Sequence, residues 1–285
     1  MSAPAVALLA STIRVEEKQI MAALSRRDLA YTRVDPRRLR FNTDGPGPAY
    51  SFALNREISQ TRAEYAAEAL EACGVVGVNS AAAVGTCGNK WRTSLALRER
   101  GLPAPRTALA LTPQAALDAL DELGYPAVIK PLVGSWGRLV GRLTCRDTAE
   151  TVLEHVAALP SPRSHVVYLQ EQITRVSRDL RVIVVGDKAV GVTWRRAEGW
   201  RANVATGANS VRCLLTAPIG ELAVAAAEAV GAEIAGVDLL EDRAGGLYVL
   251  EVNHRVEFAG FQAAHGDRVD VAEQIVDYLG RRAGA

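Results

Sequence analysis

The sequence predicts an α/β protein, with a parallel sheet in its first part and an α+β mixture of helices and paired strands later. Within residues 1–85, short apolar runs alternate with longer segments of helical periodicity, which is typical of a parallel sheet covered on both faces. From residue 165 onward strand-like runs dominate, and Gly186-Asp187 between two of them indicates a hairpin turn.

Composition argues against several classes of protein. The chain has 285 residues, 49% of them hydrophobic, which suffices for two domains or for one large domain with subdomains. A formal net charge of +1 argues against a nucleic-acid binder, which would carry a large basic excess. No basic region precedes the first apolar run, and no run reaches the roughly 18 apolar residues that cross a membrane. The four cysteines lack C-x-x-C spacing, so we expect neither a zinc site nor a disulfide framework. Taken together, these features predict a cytoplasmic location.

The elements of the first part follow from the hydrophobic pattern. Strands are predicted at residues 5–11, 29–35, 50–56 and 75–80. Amphipathic helices are predicted at 15–28 and 61–74, and the second ends at Gly74, a residue type common at helix C-termini.

The remaining elements are less regular. Helices are predicted over 81–101, 112–124, 147–159 and 221–232, with loops over 102–107 and 133–142. Strands are predicted at 125–132, 165–173, 235–242 and 246–253, and in the hairpin 179–196. Residues 256–285 are predicted to form a polar loop and a closing helix over 269–282.

A lysine and a glycine-rich loop follow the strand 125–132. Lys130 lies near its end, and Gly134-Ser135-Trp136-Gly137 follows. Glycines let backbone N–H groups approach a polyphosphate, and a lysine adds compact positive charge. The spacing matches neither the P-loop nor G-x-G-x-x-G. The alternative is a hairpin turn after a solvated lysine.

Three further polar features stand at element ends. Lys90 lies at a helix start, where most lysines are merely solvated. Glu171, Gln172 and Ile173 end a strand whose edge could bind an adenine through backbone groups, and the alternative is a plain edge strand. His254 follows an acidic strand end, and we expect it to be a solvated loop residue; the alternative is a neutral histidine that supports the acidic pair or contacts a substrate.

Arginines cluster at the ends of the hairpin strands. They are Arg178, Arg181, Arg195, Arg196 and Arg201, and Asn203 follows in a loop. Arginine binds carboxylate or phosphate with two parallel hydrogen bonds, so the cluster suits an anionic substrate. Ordinary surface arginines are the alternative.

Two oxygen donors end the strand 246–253. Glu251 and Asn253 are two residues apart, so on a strand their side chains leave from the same face. Asp238 lies on the strand before. Three such donors could hold a magnesium ion, and the alternative is an ordinary polar strand end.

Taken in order, these residues resemble the ATP-grasp superfamily of carboxylate–amine ligases, and within it the LysX/ArgX and RimK type. The similar segments are CGNKWRTSLAL, VIKPLVGSWGR, RDLRVIVVGDKAV and EVNHRVEF. The resemblance covers nearly the whole chain. It implies an ATP-grasp fold with an N-terminal parallel α/β pre-grasp domain at 1–85, a central subdomain at 86–170 and a C-terminal subdomain at 171–285.

The resemblance also implies roles for single residues. ATP would be contacted by Lys90 and Lys130, and its phosphates would be covered by a flap of Gly134, Ser135, Trp136 and Gly137. The adenine would bind to a hinge of Glu171, Gln172 and Ile173, the ribose to Asp179, and the triphosphate would lie near Arg201 and Asn203. Mg²⁺ or Mn²⁺ would be held by Asp238, Glu251 and Asn253. Arg181 and Arg195 are the candidate catalytic residues, which would stabilise negative charge during the reaction.

The reaction implied by the resemblance is amide formation. ATP phosphorylates a carboxylate to an acylphosphate, which an amine then attacks. The carboxylate would belong to the C-terminal glutamate of a small acidic amino-group carrier protein. The amine would be that of 2-aminoadipate, glutamate or a related amino acid, in lysine, arginine or specialised biosynthesis, and the enzyme would be a homodimer or homotetramer.

Two other functions stay open. A RimK-like glutamate ligase would act on a ribosomal protein, a peptide or a small cofactor. A nucleotide-binding regulator without catalysis is disfavoured, because Lys130, Asp238, Glu251 and Asn253 are all present. The segment 259–270 departs from the family pattern, so the choice of amino acid stays open as well.

Overall fold

The computed structural model describes residues 6–45, 47–134, 139–196 and 210–284, which form three sheets with surrounding helices. The N-terminal sheet is parallel throughout, in the order β2-β1-β3-β4, as the alternating pattern predicts. Its elements are β1 (Val6–Leu9), α1 (Val15–Arg26), β2 (Tyr31–Val34), a 3-10 helix (Pro36–Arg38), β3 (Phe52–Asn55), α2 (Gln60–Ala72) and β4 (Val76–Val78).

The central sheet is antiparallel, in the order β5-β8-β6-β7. Two helices precede it, α3 (Ala81–Cys87) and α4 (Lys90–Glu99). Its own elements are β5 (Thr107–Ala110), α5 (Pro113–Leu123), β6 (Ala127–Lys130), β7 (Gly141–Leu143), α6 (Arg146–Ala157), a 3-10 helix (Pro162–His165) and β8 (Val167–Glu171).

The C-terminal sheet is antiparallel, in the order β11-β10-β9-β12-β13. Its elements are β9 (Arg175–Val185), β10 (Lys188–Arg196), β11 (Ser210–Arg212), α7 (Ala217–Ala229), β12 (Ile234–Asp242) and β13 (Leu247–Asn253). The chain ends with α8 (Ala259–His265), a 3-10 helix (Gly266–Arg268) and α9 (Val271–Gly284).

The structure corrects three sequence predictions. The single helix predicted over 81–101 is two helices, because the Asn89 side chain accepts hydrogen bonds from the amides of Trp91 and Arg92 and so begins α4. The sequence does not predict the short strands β5 and β7; they begin at the ends of the predicted loops 102–107 and 133–142, and pairing with β8 and β6 stabilises them. The segment predicted as a polar loop contains α8, whose Phe261 is buried.

The two faces of the C-terminal sheet differ. One face is apolar over most of its length and packs against α7. The other, which we call the site face, has its apolar cluster at one end, where Ile183 and Ile234 pack with α9 and α1. At its other end the site face carries Arg181 and Asp238, which lie directly opposite each other on β9 and β12. The polar half of the site face is therefore bordered by the N-terminal sheet and its helices.

No helix in the described parts of the chain is both long and apolar enough to cross a membrane.

We predict that the β9–β10 turn tolerates a methyl group less well than the β12–β13 turn. Gly186 has a φ of +61°, and a Cβ there would lie 2.7 Å from the Tyr278 ring. Gly245 has a φ of +87° and open space around it. Gly245→Ala should lower the free energy of unfolding by about 1 kcal/mol through backbone strain alone. Gly186→Ala should lower it by a further ~1–3 kcal/mol, because the ring must move.

Urea unfolding of the two variants measures this difference. Equal losses of stability would show that the Tyr278 contact does not restrict the turn.

Candidate active site

A buried carboxylate between two arginines lies in the polar half of the site face. Asp238 Oδ2 accepts a hydrogen bond from Arg181 Nη2 at 2.7 Å, and its Oδ1 accepts one from Arg195 Nη2 at 2.7 Å. Arg181 Nε also donates to Oδ1, so Arg181 binds the carboxylate with two parallel bonds. Burial alone raises the pKa of the Asp238 carboxyl, but the two guanidinium groups outweigh it and hold this pKa below its usual range. The two predicted catalytic residues thus meet one predicted metal ligand.

A glycine makes room for this ion pair. A Cβ at Gly236 would lie 3.2 Å from Arg181 Nη1 and 2.9 Å from Val256 Cγ2. Gly236 therefore lets the Arg181 side chain lie across β12 toward Asp238.

The three predicted metal ligands share the site face. Glu251 lies directly opposite Asp238 in the β12–β13 register, and Asn253 lies opposite Gly236. Directly opposite residues of antiparallel strands project to the same side. In the described ranges, no three His, Cys, Asp or Glu side chains converge as a metal site. Asn253 lies on the same face with an amide oxygen, and its part in a metal site stays a prediction.

The first of the two predicted lysines is held by a buried glutamine. Lys130 Nζ donates to Gln170 Oε1 at 2.6 Å, and Gln170 Nε2 donates to the Tyr168 hydroxyl at 3.2 Å. Burial lowers the pKa of Lys130 from 10.5 to about 8, although the charge of Glu251 acts in the opposite direction. Sequence reasoning missed the role of Gln170. Its only local signal is a polar residue inside an apolar strand, next to the predicted hinge.

The second lysine connects the glycine-rich loop with β13. Lys90 Nζ donates to the Gly134 carbonyl at 2.8 Å and lies 3.8 Å from Glu251 Oε1. The Lys90 amide donates to the Leu132 carbonyl at 3.0 Å, which fixes the start of α4 against the loop. The two lysines and Glu251 line one narrow pocket between the central and C-terminal sheets, together with Gln170.

The predicted hinge lies where β8 leaves the central sheet. The Glu171 carboxylate accepts from Arg106 N at 2.7 Å and from Arg106 Nε at 2.8 Å. The Gln172 amide donates to the Pro126 carbonyl at 3.2 Å. Arg106 therefore holds the side chain of Glu171, and an adenine contact from this segment would come from the backbone of Gln172 and Ile173.

The remaining predicted residues divide into one that is described and several that are not. Asp179 is buried and lies opposite Arg195 in the β9–β10 register, and its charge offsets a small part of the lowering of the Lys130 pKa by burial. Its ribose contact stays a prediction. The other predicted residues lie outside the described ranges: Ser135, Trp136, Gly137, Arg201 and Asn203.

The prediction that His254 is solvated is wrong. Its side chain is buried, and Nε2 is hydrogen-bonded to Gln60 Oε1 at 2.9 Å. Because Gln60 Nε2 donates to the Val84 carbonyl, Gln60 Oε1 accepts and His254 Nε2 carries the proton. Burial lowers the pKa of His254 to about 3, so the ring is neutral at physiological pH.

Comparison with known families accounts for this constellation. Residues 87–279 match the family model of the RimK-like ATP-grasp domain, and residues 6–86 match that of the LysX preATP-grasp domain. The chain belongs to the RimK-like ATP-grasp family. It is an ATP-dependent carboxylate–amine ligase, as the resemblance implied.

Individual relatives of this ATP-grasp ligase agree with the family assignment. The glutamate–LysW ligase ArgX of Sulfolobus acidocaldarius is 33% identical over 276 residues, which cover 96% of this chain and 97% of ArgX. The α-aminoadipate–LysW ligase LysX of Saccharolobus solfataricus is 32% identical over 206 residues, 72% of this chain and 75% of LysX. The crystal structure of a RimK domain ATP-grasp protein from Sphaerobacter thermophilus superposes with a TM-score of 0.78 at 26% identity, covering 96% of this chain and 99% of that one. The predicted fold is thereby confirmed.

ATP-grasp ligases use ATP and Mg²⁺, and the residues of this chain fit both. Lys90 and Lys130 supply positive charge on one side of the pocket. Glu251 is half-buried, and its ion pair with Lys90 is long, so its oxygens can bind a cation. A carboxylate offers about four lone-pair positions, of which the arginines use three on Asp238. Asp238 can thus give one oxygen lone pair to a metal while it keeps both arginines.

We predict that ATP affinity falls as the pH rises above about 8. The pKa of Lys130 is about 8 in the free enzyme, so the fraction of charged lysine falls above that pH. Because a triphosphate requires the charged form, the Kd for ATP should rise by up to about tenfold per pH unit. Calorimetric titration between pH 7 and 9.5 measures it.

Lys130→Arg is the matched control, because its guanidinium stays charged over this whole range. Its Kd for ATP should vary much less with pH, whatever its absolute value. An equally flat profile for the unmodified enzyme would contradict the assignment of Lys130 to the triphosphate.

Proposed function

We propose that this ligase joins the amino group of an α-amino acid to the side-chain carboxylate of a C-terminal glutamate on a small acidic carrier protein. The names of ArgX and LysX, which are ligases of glutamate and α-aminoadipate with LysW, support this substrate pair. Glutamate is the first candidate for the amino acid, because ArgX matches nearly the whole chain. One observation carries the proposal: Arg181, Asp238 and Glu251 lie opposite one another on the neighbouring strands β9, β12 and β13. Cationic and anionic groups therefore lie side by side next to the lysine pocket.

The nucleotide would bind along the pocket between the two sheets. Lys130 and Lys90 would neutralise its phosphates, and the loop that begins at Gly134 would cover them. The backbone of Gln172 and Ile173 would bind the adenine, which is why we propose ATP and not GTP as the donor. Magnesium held by Asp238, Glu251 and Asn253, with manganese as a substitute, would offset the charge that develops on the transferred phosphoryl group.

Arg195 is the group best placed to bind the reacting carboxylate. Its Nη2 is bonded to Asp238, while its buried Nε has no hydrogen-bond partner among the described residues. A buried donor without a partner is costly, and a ligand oxygen would satisfy it. We propose that Arg195 and Arg181 stabilise the acylphosphate and the oxyanion that forms when the amine attacks. The carboxylate of the incoming amino acid would be bound by Arg195, Arg196 or Arg201.

The acceptor is the part of this proposal that has a rival. A RimK-like ligase that adds glutamate to a ribosomal protein, peptide or small cofactor would use the same nucleotide and metal residues, and the family model over residues 87–279 supports that alternative.

We further propose that the enzyme acts in the cytoplasm, as a homodimer or homotetramer.

We predict that Glu251→Gln abolishes ADP formation without unfolding the protein. Glutamine removes the negative charge and one of the two carboxylate oxygens. Mutation of residues that only support a metal ligand already costs 10- to 100-fold, so this change at the ligand itself should lower kcat at least about 100-fold. Glu251 lies at a strand end with a side chain 32% exposed, so the free energy of unfolding should change by less than about 1 kcal/mol. Coupled-enzyme detection of ADP at saturating magnesium measures the loss.

Glu241→Gln is the matched control, since Glu241 lies on β12 and pairs with Arg178 outside the site. It should retain near-normal turnover. A folded Glu251→Gln variant with unchanged kcat would remove Glu251 from the metal site.

We predict that the carrier protein gains mass in a complete reaction. Enzyme, ATP, magnesium and a candidate carrier that ends in glutamate are incubated with glutamate, 2-aminoadipate or lysine, and the carrier is weighed by mass spectrometry. A gain of one amino-acid residue with glutamate or 2-aminoadipate is expected, and none with lysine.

A carrier whose C-terminal glutamate is replaced by glutamine is the control and should not be modified. ADP release with a ribosomal protein, peptide or cofactor as acceptor, without any change in carrier mass, would favour the RimK-like alternative.

A further inference from the structure

Side chains of the N-terminal part hold the chain directly after Glu251 and Asn253. We call residues 254–257 the exit segment, because here β13 leaves the C-terminal sheet. Four contacts bind it: Asn79 Nδ2 to the His254 carbonyl at 2.8 Å, Gln60 Oε1 to His254 Nε2 at 2.9 Å, Arg56 Nη1 to the Val256 carbonyl at 2.8 Å and Arg14 Nη1 to Glu257 Oε1 at 2.9 Å. All four partners lie within residues 1–85.

Asn79 forms the most complete of these contacts. Its Nδ2 donates to the carbonyls of Ile234 and His254, at 2.7 and 2.8 Å. Its Oδ1 accepts from the amides of Glu233 and Ile234, at 2.7 and 2.8 Å. An amide side chain has two donors and two acceptor positions, so Asn79 is fully satisfied although it is only 2% exposed. The contact is specific for asparagine, because aspartate would present oxygens to the two carbonyls.

The place of this contact matters for the metal ligands. Pairing of β12 with β13 ends at Gly236 and Asn253, and beyond that pair the two strands separate. Asn79 binds Ile234 and His254 at this point and so takes the place of the next rungs of the ladder. One buried side chain thereby fixes the end of the strand that carries Glu251 and Asn253 against the start of the strand that carries Asp238.

Arg56 fixes the exit segment two residues further on. Its Nε donates to the buried Glu17 carboxylate at 3.0 Å, while its Nη1 binds the Val256 carbonyl. A buried guanidinium must keep its charge partner, because an unpaired ion inside a protein is strongly unfavourable. The Glu17 pair therefore prevents Arg56 from turning away from the exit segment.

We propose that Asn79 and Arg56 are positioning residues, through which the N-terminal part sets the spacing of Glu251 and Asn253 from Asp238. This proposal rests on the proposed metal site. Groups behind metal ligands commonly change metal affinity 10- to 100-fold, because they fix the ligand geometry. The N-terminal part would thus contribute to metal binding without touching the metal.

The test compares two buried amides of the N-terminal part. Asn79→Ala removes the contact with the exit segment. Asn55→Ala is the matched control, because the Asn55 side chain is also buried but its hydrogen bonds, among the residues that the structure describes, are to Ala63 and Glu57 within residues 1–85. For the full-length enzyme with ADP, Mn²⁺ affinity is measured by electron paramagnetic resonance, and hydrogen exchange is followed across residues 248–258. Urea unfolding gives the stability of each variant.

Asn79→Ala should weaken Mn²⁺ binding at least about tenfold and speed exchange across residues 248–258. Asn55→Ala should leave Mn²⁺ affinity within about twofold of the unmodified enzyme, even if it loses similar stability. If Asn79→Ala does not fold, Arg56→Lys replaces it. Lysine replaces the two separate donor nitrogens Nε and Nη1, which bind Glu17 and Val256, by one nitrogen on a different stem, so Mn²⁺ affinity should fall in the same direction.

Unchanged Mn²⁺ affinity in the folded variant, or an equal loss in Asn55→Ala, would overturn the proposal. Glu251→Gln in the same titration tests the underlying metal site separately. If Glu251→Gln binds Mn²⁺ as tightly as the unmodified enzyme, the metal assignment fails, and not merely the positioning role.

Discussion

One face of the C-terminal sheet has an apolar half and a polar half, and burial of the apolar half determines what surrounds the polar one. Ile183 and Ile234 on the site face must be buried, and they pack against helices from both ends of the chain. On the same strands, Arg181 and Asp238 lie only two and four residues further along. Because the apolar half has to be covered by the N-terminal part, that part is necessarily brought to the border of the polar half. Burial of hydrophobic surface thus assembles the active site from distant segments.

The cations of the polar half are only partly compensated before any ligand binds. The single carboxylate of Asp238 pairs with two arginines, and Glu251, which forms a long ion pair with Lys90, also acts to raise the pKa of Lys130. Paired charges can be buried, whereas an unpaired buried ion is strongly unfavourable. The pKa of Lys130 is lowered because the nearby carboxylates do not fully offset the unfavourable burial of its charge. An anionic ligand would complete the compensation, which is a physical reason for this pocket to bind a polyphosphate.

What the sequence could predict is local, and what it could not predict depends on residues far apart in the chain. The alternating pattern before residue 80, the turn at Gly186 and the shared face of Glu251 and Asn253 all follow from the spacing of neighbouring residues. Lys130 is hydrogen-bonded to Gln170, which lies 40 residues away in the sequence, and His254 is hydrogen-bonded to Gln60, which lies 194 residues away. No periodicity encodes such pairs. α8 was missed for a related reason: its Phe261 is buried against Gly191 on β10, so tertiary contact and not helical pattern determines it.

Lys90 shows how the parts of the site could respond to a ligand. It holds the Gly134 carbonyl at the start of the glycine-rich loop, and the same ammonium group lies 3.8 Å from Glu251. The first contact is a good hydrogen bond, while the second is too long for one and is worth little. A phosphate oxygen entering the pocket would therefore compete mainly with the carbonyl of Gly134. Gly134 and the proposed metal ligand Glu251 are thus linked through one lysine, which holds the first by a hydrogen bond and the second only by a long ion pair.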